Sequence, residues 1–323
     1  MEKVNVPVGR FAPSPSGRMH LGNIFTAVLS WLSVRSRGGR WVLRIEDLDP
    51  QRSKRCHAEM IEDDLRWLGL DWDEGGLDGI GPSGPYMQSL RDEIYGYYLA
   101  RLVATGYTYP CRCTRADLMA VRAPHQSDGR LIYPGTCRPA HLPSTPVGDA
   151  AGAALRLYVP DEEIAYRDGV FGMRRYNLAR ECGDFVVRRA DGAWSYQLAV
   201  VVDDALMGVT EVMRGCDLLL SAAQQIYLRH LLGLPDPEYV HLPLVCNNSG
   251  QRLSKRDSAM SMEHLRRIYS PGQILGIVAS LSGIKPGSGA VGLDELLEMY
   301  DRRAIPATES VVVSDDGQDS GMI

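Results

Sequence analysis

Over the first hundred residues, short apolar runs alternate with stretches of helical period. VPVGRFA reads as a strand, PSPSG as a turn, the amphipathic run from about residue 20 to 37 as a helix, and WVLRIED as a second strand. Helical patterns return at about 52–68 and 88–105. This β-α-β-α order predicts a parallel sheet wrapped by helices, because a parallel strand is reached through a crossover helix. The expected unit is an α/β nucleotide-binding half.

From about Tyr107 to Pro146 the periodicity weakens and Cys, Pro, Gly and Arg become frequent; strand-like pieces return at 153–159 and 184–189. Residues 107–193 are therefore expected to be an insertion with its own small core. The buried run SYQLAVVVDD then resumes the α/β pattern, followed by EVMRGCDLL, a helix at about 221–232 and the strand-like HLPLV. After Ser258 the segments MEHLRRIY, PGQILGIVASLSG and LDELLEMYDRR are helical in pattern. The expected division is a catalytic first half over 1–106, the insertion over 107–193, a second half over 194–257, a helical region over 258–305 and a frayed acidic tail over 306–323.

Composition agrees with this picture: 323 residues, 45% hydrophobic and 23% charged, are ordinary for a globular chain. The formal net charge of −5 argues against a protein that simply coats nucleic acid. That charge is unevenly spread. Glu309, Asp315, Asp316 and Asp319 lie in 306–323 without any Lys or Arg, so the rest of the chain carries only −1. Between Arg101 and Pro139, six Arg face Asp117 and Asp128, a local excess of four positive charges. The acidic total thus conceals a basic segment compatible with RNA. The N-terminus lacks the pattern of a secretory signal and no apolar run is long enough to cross a bilayer, so a cytoplasmic protein without a membrane partner is expected, as a monomer. Of seven Cys, Cys111, Cys113 and Cys137 fall close together, which suits reduced thiols plus one metal site better than a disulfide framework.

Two segments carry candidate phosphate chemistry. In RFAPSPSGRMHLGN, a strand and a proline-stiffened turn lead into a helix that opens at His20 and Gly22. Such a helix start presents unpaired N–H groups and the positive dipole end to a phosphate chain; His20 can donate to phosphate oxygens and Gly22 permits close approach. Far downstream, QRLSKRD follows the turn NNSG and can bring Lys255 onto an α-phosphate as charge develops.

Together, MHLG at 19–22 and RLSKR at 252–256 resemble the HIGH and KMSKS signatures of class I aminoacyl-tRNA synthetases. The blocks RFAPSPSG, LRIEDLDP, YQLAVVVDD and MRGCDLL are similar to those of the glutamyl branch, in its order, and the match covers most of residues 6–305. The resemblance implies a Rossmann-like catalytic domain with a zinc-containing insertion and a small C-terminal helical domain. Three features point to a truncated branch: Val200 stands where tRNA-charging members usually carry Asn, only about fifty residues and the tail follow the RLSKR loop, and C-x-C is followed by Y-x-x-x-C. That branch activates L-glutamate with Mg2+ and ATP, without tRNA, and transfers glutamate to queuosine in the anticodon loop of tRNA(Asp). The alternatives are a short glutamyl-tRNA synthetase charging the tRNA 3′ end and a catalytically silent tRNA-binding paralogue.

Free glutamate has two carboxylates and one ammonium, so its site needs about two cationic or dipolar anchors and one anionic one. Arg10 and Arg214 can supply planar forks, Tyr196 a hydroxyl donor, and Glu46, helped by Ser14, an anchor for the ammonium. The resemblance assigns the same positions and adds Ala12. The plainer alternative is a structural ion pair between Glu46 and Arg214. By the resemblance, His20 and Lys255 stabilise the phosphates, with Gly22 and Ser254 completing the ATP site. Val200 removes a polar contact, worth roughly 1.5–3 kcal/mol to a charged ligand, so weak, millimolar glutamate binding is expected. Cys111, Cys113, Tyr133 and Cys137 resemble the branch's structural Zn2+ site; His125 or water is the alternative fourth ligand.

Overall fold

The computed structural model describes residues 6–120, 132–141, 152–253 and 258–313. The first half runs β1 (Val8–Phe11), α1 (Leu21–Arg35), β2 (Arg40–Leu43), α2 (Arg55–Trp67), β3 (Glu74–Gly75) and α3 (Asp92–Ala104). Next come β4 (Thr108–Cys111), α4 (Arg115–Ala120), β5 (Ala154–Leu157), β6 (Glu163–Asp168), β7 (Gly172–Asn177), α5 (Leu178–Glu181) and β8 (Phe185–Arg188). The second half supplies α6 (Tyr196–Leu206), β9 (Glu211–Gly215), α7 (Leu219–Leu232), β10 (Glu238–Leu242) and β11 (Leu244–Cys246). Then follow α8 (Met262–Ile268), α9 (Pro271–Leu281), α10 (Leu293–Met299) and β12 (Ser310–Val312).

Seven strands form the main sheet in the order β3-β2-β1-β9-β10-β6-β7, all parallel except β7. The chain builds outward from β1 through β2 to β3, then returns to lay β9 and β10 on the other side of β1. This reversal opens a crevice beyond the carboxyl ends of β1 and β9, where parallel α/β sheets bind their ligands. The mixed α/β class read from the periodicity is therefore present, with the crevice at the sheet's switch point.

Helix α1 is apolar nearly all round, with Leu21, Ile24, Phe25, Val28, Leu29, Leu32 and Val34 all buried. A helix with no polar face must be covered on every side. The sheet covers one side; Ile274, Leu275, Ile277 and Val278 of α9 and Leu296 of α10 share its core on the other. Gly9 lets the helix lie close to β1, since a Cβ there would meet Val34 Cγ1 at 2.7 Å. The core thus fixes where α1 begins, and α1 begins at the crevice.

The 107–193 segment divides between two sheets. Strands β4, β5 and β8 form a separate antiparallel sheet, whereas the β6–β7 hairpin extends the main sheet where Tyr239 pairs with Asp168. The expectation of a frayed tail from residue 306 needs correction. Residues 310–312 form β12, parallel to β11, and Val311, Val312 and Val313 are buried because this apolar triplet covers the strand leading out of the crevice. Residues 314–323 lie outside the described residues. Among the described residues, no helix is long and apolar enough to cross a membrane.

Candidate active site

The crevice holds a cleft of about 450 Å³ lined by Arg10, Ala12, Ser14, His20, Gly22, Glu46, Tyr196 and Arg214, so eight residues singled out in the sequence converge there. Ser254 and Lys255 lie outside the described residues, as does His125.

At one end of the cleft, His20 caps α1 through its side chain. Gly22 N–H donates to His20 Nδ1 at 3.1 Å, and His20 N–H donates to Asn23 Oδ1 at 3.1 Å, a reciprocal capping box. With Nδ1 accepting, a neutral ring carries its proton on Nε2, the nitrogen that can donate to a ligand. A Cβ on residue 22 would stand 3.1 Å from both Cε1 and Nδ1 of His20, so this glycine also makes room for the capping ring.

Deeper in, β1 and the segment after β2 bring opposite charges together. Arg10 is 5% exposed; its Nη1 donates to the Met213 carbonyl at 3.0 Å, while its Nε lies 3.5 Å from Asp204 Oδ1 without a hydrogen bond. Glu46 is positioned by its amide, which donates to the Pro13 carbonyl, and by Arg44, whose Nη2 is 3.0 Å from Glu46 Oε1. The proposed alternative pair of Glu46 with Arg214 is not formed: Glu46 pairs with Arg44. Burial raises the Glu46 carboxyl above the ordinary range, and Arg44 and Arg10 only partly oppose this.

Arg214, on β9, is 5% exposed and, among the described residues, has only neutral hydrogen-bond partners. Its Nη1 donates to Gln225 Oε1 at 2.9 Å and to the Tyr196 hydroxyl at 3.5 Å, its Nε to His241 Nε2 at 3.2 Å, and its Nη2 to the Leu218 carbonyl at 3.4 Å. None of the described carboxylates forms an ion pair with it. A buried guanidinium facing a cleft without a counter-charge is an anion site in electrostatic terms, because an unpaired buried charge is costly until a ligand supplies the partner. Val200 is buried on α6, one turn after Tyr196 and one before Asp204.

At the cleft mouth, Arg252 Nη1 pairs with Asp217 Oδ2 at 2.6 Å. Leu253 N–H donates to the Val245 carbonyl at 3.0 Å. These contacts tie the first two residues of the RLSKR segment to β11 and to the turn after β9.

Outside the cleft, the sulfurs of Cys111, Cys113 and Cys137 lie within 4.8 Å of one another, a spacing at which they could hold a metal ion. Tyr133 joins them: its hydroxyl is 3.5 Å from Cys111 Sγ and accepts from Cys137 N–H at 2.7 Å. Arg156 stacks its guanidinium 3.6 Å from the Tyr133 ring centre. Burial opposes ionisation of Cys111, yet hydrogen bonds from Tyr133 and Arg156 bring it down to about 7, which favours a thiolate ligand.

The sequence reading missed the charges beneath the cleft. Asp204 is 1% exposed and gathers three guanidiniums: Arg44 at 2.7 Å, Arg10 at 3.5 Å and Arg229 at 3.8 Å. Burial works against its ionisation, but Arg44, Arg10 and Arg229 together hold it below the ordinary range. Its neighbour Asp203 accepts from Arg91 Nε at 2.7 Å, Gln88 Nε2 at 2.8 Å and the Tyr95 hydroxyl at 2.8 Å. Two adjacent acids closing the apolar run AVVV were the available signal, since a helix buries such a pair only if cations meet it. His241 and Asp168, also fully buried, had no comparable signal.

Parallel strands meeting a helix start, beside paired cationic and anionic anchors, make a cleft suited to an anionic ligand with one cationic group, and comparison with known proteins gives its class. Residues 5–300 match the family of tRNA synthetases class I (E and Q), catalytic domain, and the chain belongs to it as an enzyme of that ligase class. Within the family, the chain is 51% identical over 304 residues to the glutamyl-Q tRNA(Asp) synthetase of Symbiobacterium thermophilum, covering 92% of this chain and 93% of the relative. It is 46% identical over 282 residues to the glutamyl-Q tRNA(Asp) synthetase of Nitratidesulfovibrio vulgaris, covering 86% and 87%. Among solved structures, a glutamate tRNA ligase from Elizabethkingia meningosepticum in complex with its amino acid matches with a TM-score of 0.79 and 30% identity, over 95% of this chain and 67% of that one.

Proposed function

We propose that this enzyme activates L-glutamate with ATP, without tRNA, to glutamyl-adenylate and transfers glutamate to queuosine in the anticodon loop of tRNA(Asp). The observation that carries the amino-acid half of this reading is Arg214: a buried cation with neutral partners only among the described residues, in one cleft with Arg10 and Glu46. A ligand with two carboxylates and one ammonium satisfies all three; aspartate and glutamate share that charge pattern, and the relatives named glutamyl-Q tRNA(Asp) synthetase support glutamate. The relatives named glutamyl-Q tRNA(Asp) synthetase support queuosine in tRNA(Asp) as acceptor over the tRNA 3′ end.

In this reading, Arg10 and Arg214 take the carboxylates, Tyr196 donates to one of them, and Glu46 with Ser14 holds the ammonium beside Ala12. The glutamate α-carboxylate attacks the α-phosphorus, and pyrophosphate leaves. His20 Nε2–H and the Lys255 ammonium hold the phosphates as charge shifts onto the leaving group, Gly22 lets the nucleotide approach closely and Ser254 holds the loop; no protein nucleophile is required. Mg2+ supplies charge neutralisation on the ATP phosphates. Cys111, Cys113, Cys137 and Tyr133 would hold a structural Zn2+, for which three thiolates and a phenol oxygen are a suitable donor set. The enzyme acts as a cytoplasmic monomer.

The deciding experiment incubates the enzyme with ATP, radiolabelled glutamate and tRNA(Asp) with or without queuosine, then maps the label by mass analysis of RNA fragments. Label in the anticodon fragment of queuosine-containing tRNA alone is expected. Label on the 3′-terminal adenosine would replace this reading with 3′-end charging.

A further inference from the structure

Arg214 can act only as a donor, and an ionised carboxylate only as an acceptor. A carboxylate placed directly against Arg214 would orient the guanidinium and also cancel its charge. The protein instead interposes an imidazole. His241 on β10 is the register partner of Arg214 on β9, and Asp168 ends the next strand, β6. Across these three adjacent strands, Arg214 Nε donates to His241 Nε2 at 3.2 Å, and His241 Nδ1 lies 2.6 Å from Asp168 Oδ2. Asp168 is itself held by the amides of Val170 and Phe171, at 3.0 and 2.9 Å, and by the His241 amide at 3.2 Å.

Only one form of the imidazole fits both neighbours: neutral, protonated on Nδ1 and unprotonated on Nε2. We propose that Asp168 and His241 are positioning residues that lock this tautomer, so that Arg214 is aimed into the cleft with its charge left for a substrate carboxylate. The inference rests on the reading of Arg214 as a glutamate anchor. Burial lowers the His241 pKa and Arg214 lowers it further, against the pull of Asp168 and of the Leu218 carbonyl; the net direction is downward, consistent with a neutral ring.

Two substitutions of similar size separate orientation from packing. Gln places an acceptor near the position of Nε2, whereas Asn can reach Asp168 but leaves Arg214 Nε unpaired. In glutamate-dependent ATP–pyrophosphate exchange, His241→Asn should raise the KM for glutamate about tenfold or more, the worth of a hydrogen bond to a charged group, with the KM for ATP and kcat near wild type. His241→Gln should stay within about threefold of wild type. Equal glutamate KM values for the two variants, or a matching rise in the KM for ATP, would overturn the proposal. Nitrogen-15 NMR of the imidazoles in the unmodified chain gives a readout independent of variant folding: Nδ1-protonated His241 is expected, and an Nε2-protonated or doubly protonated ring near neutral pH refutes the lock. Arg214→Gln distinguishes the two levels. An unchanged glutamate KM there removes the anchor reading and the couple with it; a raised KM there beside an unchanged one in His241→Asn removes the couple alone.

Discussion

Gly22→Ala separates the folding role of the α1 start from its catalytic role. Gly22 is not one of the glycines with a left-handed backbone, so Ala is tolerated by the chain path. Its Cβ, however, would stand 3.1 Å from two atoms of the His20 ring, and that ring must give by a few tenths of an ångström. Losing the His20 cap costs about 0.5–2 kcal/mol. Replacing Gly by Ala in a helix returns up to about 1 kcal/mol. The two nearly cancel, and at about 2–4 °C per kcal/mol the melting temperature should change by only a few degrees. Catalysis has no such compensation: if a misplacement of roughly 1 Å costs about 100-fold in rate, a donor moved by a few tenths of an ångström should cost about three- to tenfold. The assay is ATP–pyrophosphate exchange at saturating substrates, paired with thermal melting. Full exchange in Gly22→Ala would refute the role given to the His20 ring. A fall matched by a melting loss above about 8 °C would move the glycine's role to folding. Asn23→Ala breaks the other half of the capping box without crowding the ring, and should lower exchange much less.

Four further outcomes are expected. Asp204→Asn strands Arg10, Arg44 and Arg229 without their shared carboxylate and should destabilise the protein by about 3–5 kcal/mol; denaturant melts showing less than about 1 kcal/mol would contradict the network. Because the Glu46 carboxyl titrates above the ordinary range, the anion holding the ammonium is lost early as pH falls. The glutamate KM should therefore climb on acidification before other carboxylates protonate, while Glu46→Gln gives a high, pH-independent KM; a flat wild-type profile argues against the anchor. Cys113→Ser should drop zinc from about one equivalent to under half by atomic emission, and a wild-type chain already below half counts against a zinc site. Lys255→Ala should abolish pyrophosphate exchange, and persistence of full exchange would remove Lys255 from the phosphates.

Local periodicity disclosed what local physics controls. The helical run read at about 20–37 is α1 over Leu21–Arg35, and that at 52–68 is α2 over Arg55–Trp67. Charge matching to glutamate selected Arg10, Glu46 and Arg214 one at a time, and the cleft brings them together. Partnerships across the sheet were not readable. Arg44 meets Asp204 160 positions away and His241 meets Asp168 73 positions away; nothing in either neighbourhood names the partner. The β6–β7 hairpin joins the main sheet through a parallel pairing that leaves no local turn signal. At the far end, four acids around the Val311–Val313 triplet made a short buried strand look like a solvated tail.

The clasp of β12 on β11 gives the chain's far end a mechanical meaning. Leu244, Val245 and Cys246 are paired along their length with Ser310, Val311 and Val312. The same short strand lends Leu244 and Val245 to the wall of the cleft and anchors the entry to the RLSKR segment. A pull or a bulky fusion near residue 313 therefore acts on the rail along which that cationic segment is mounted, and the site for a tag or surface tether becomes a choice with kinetic consequences.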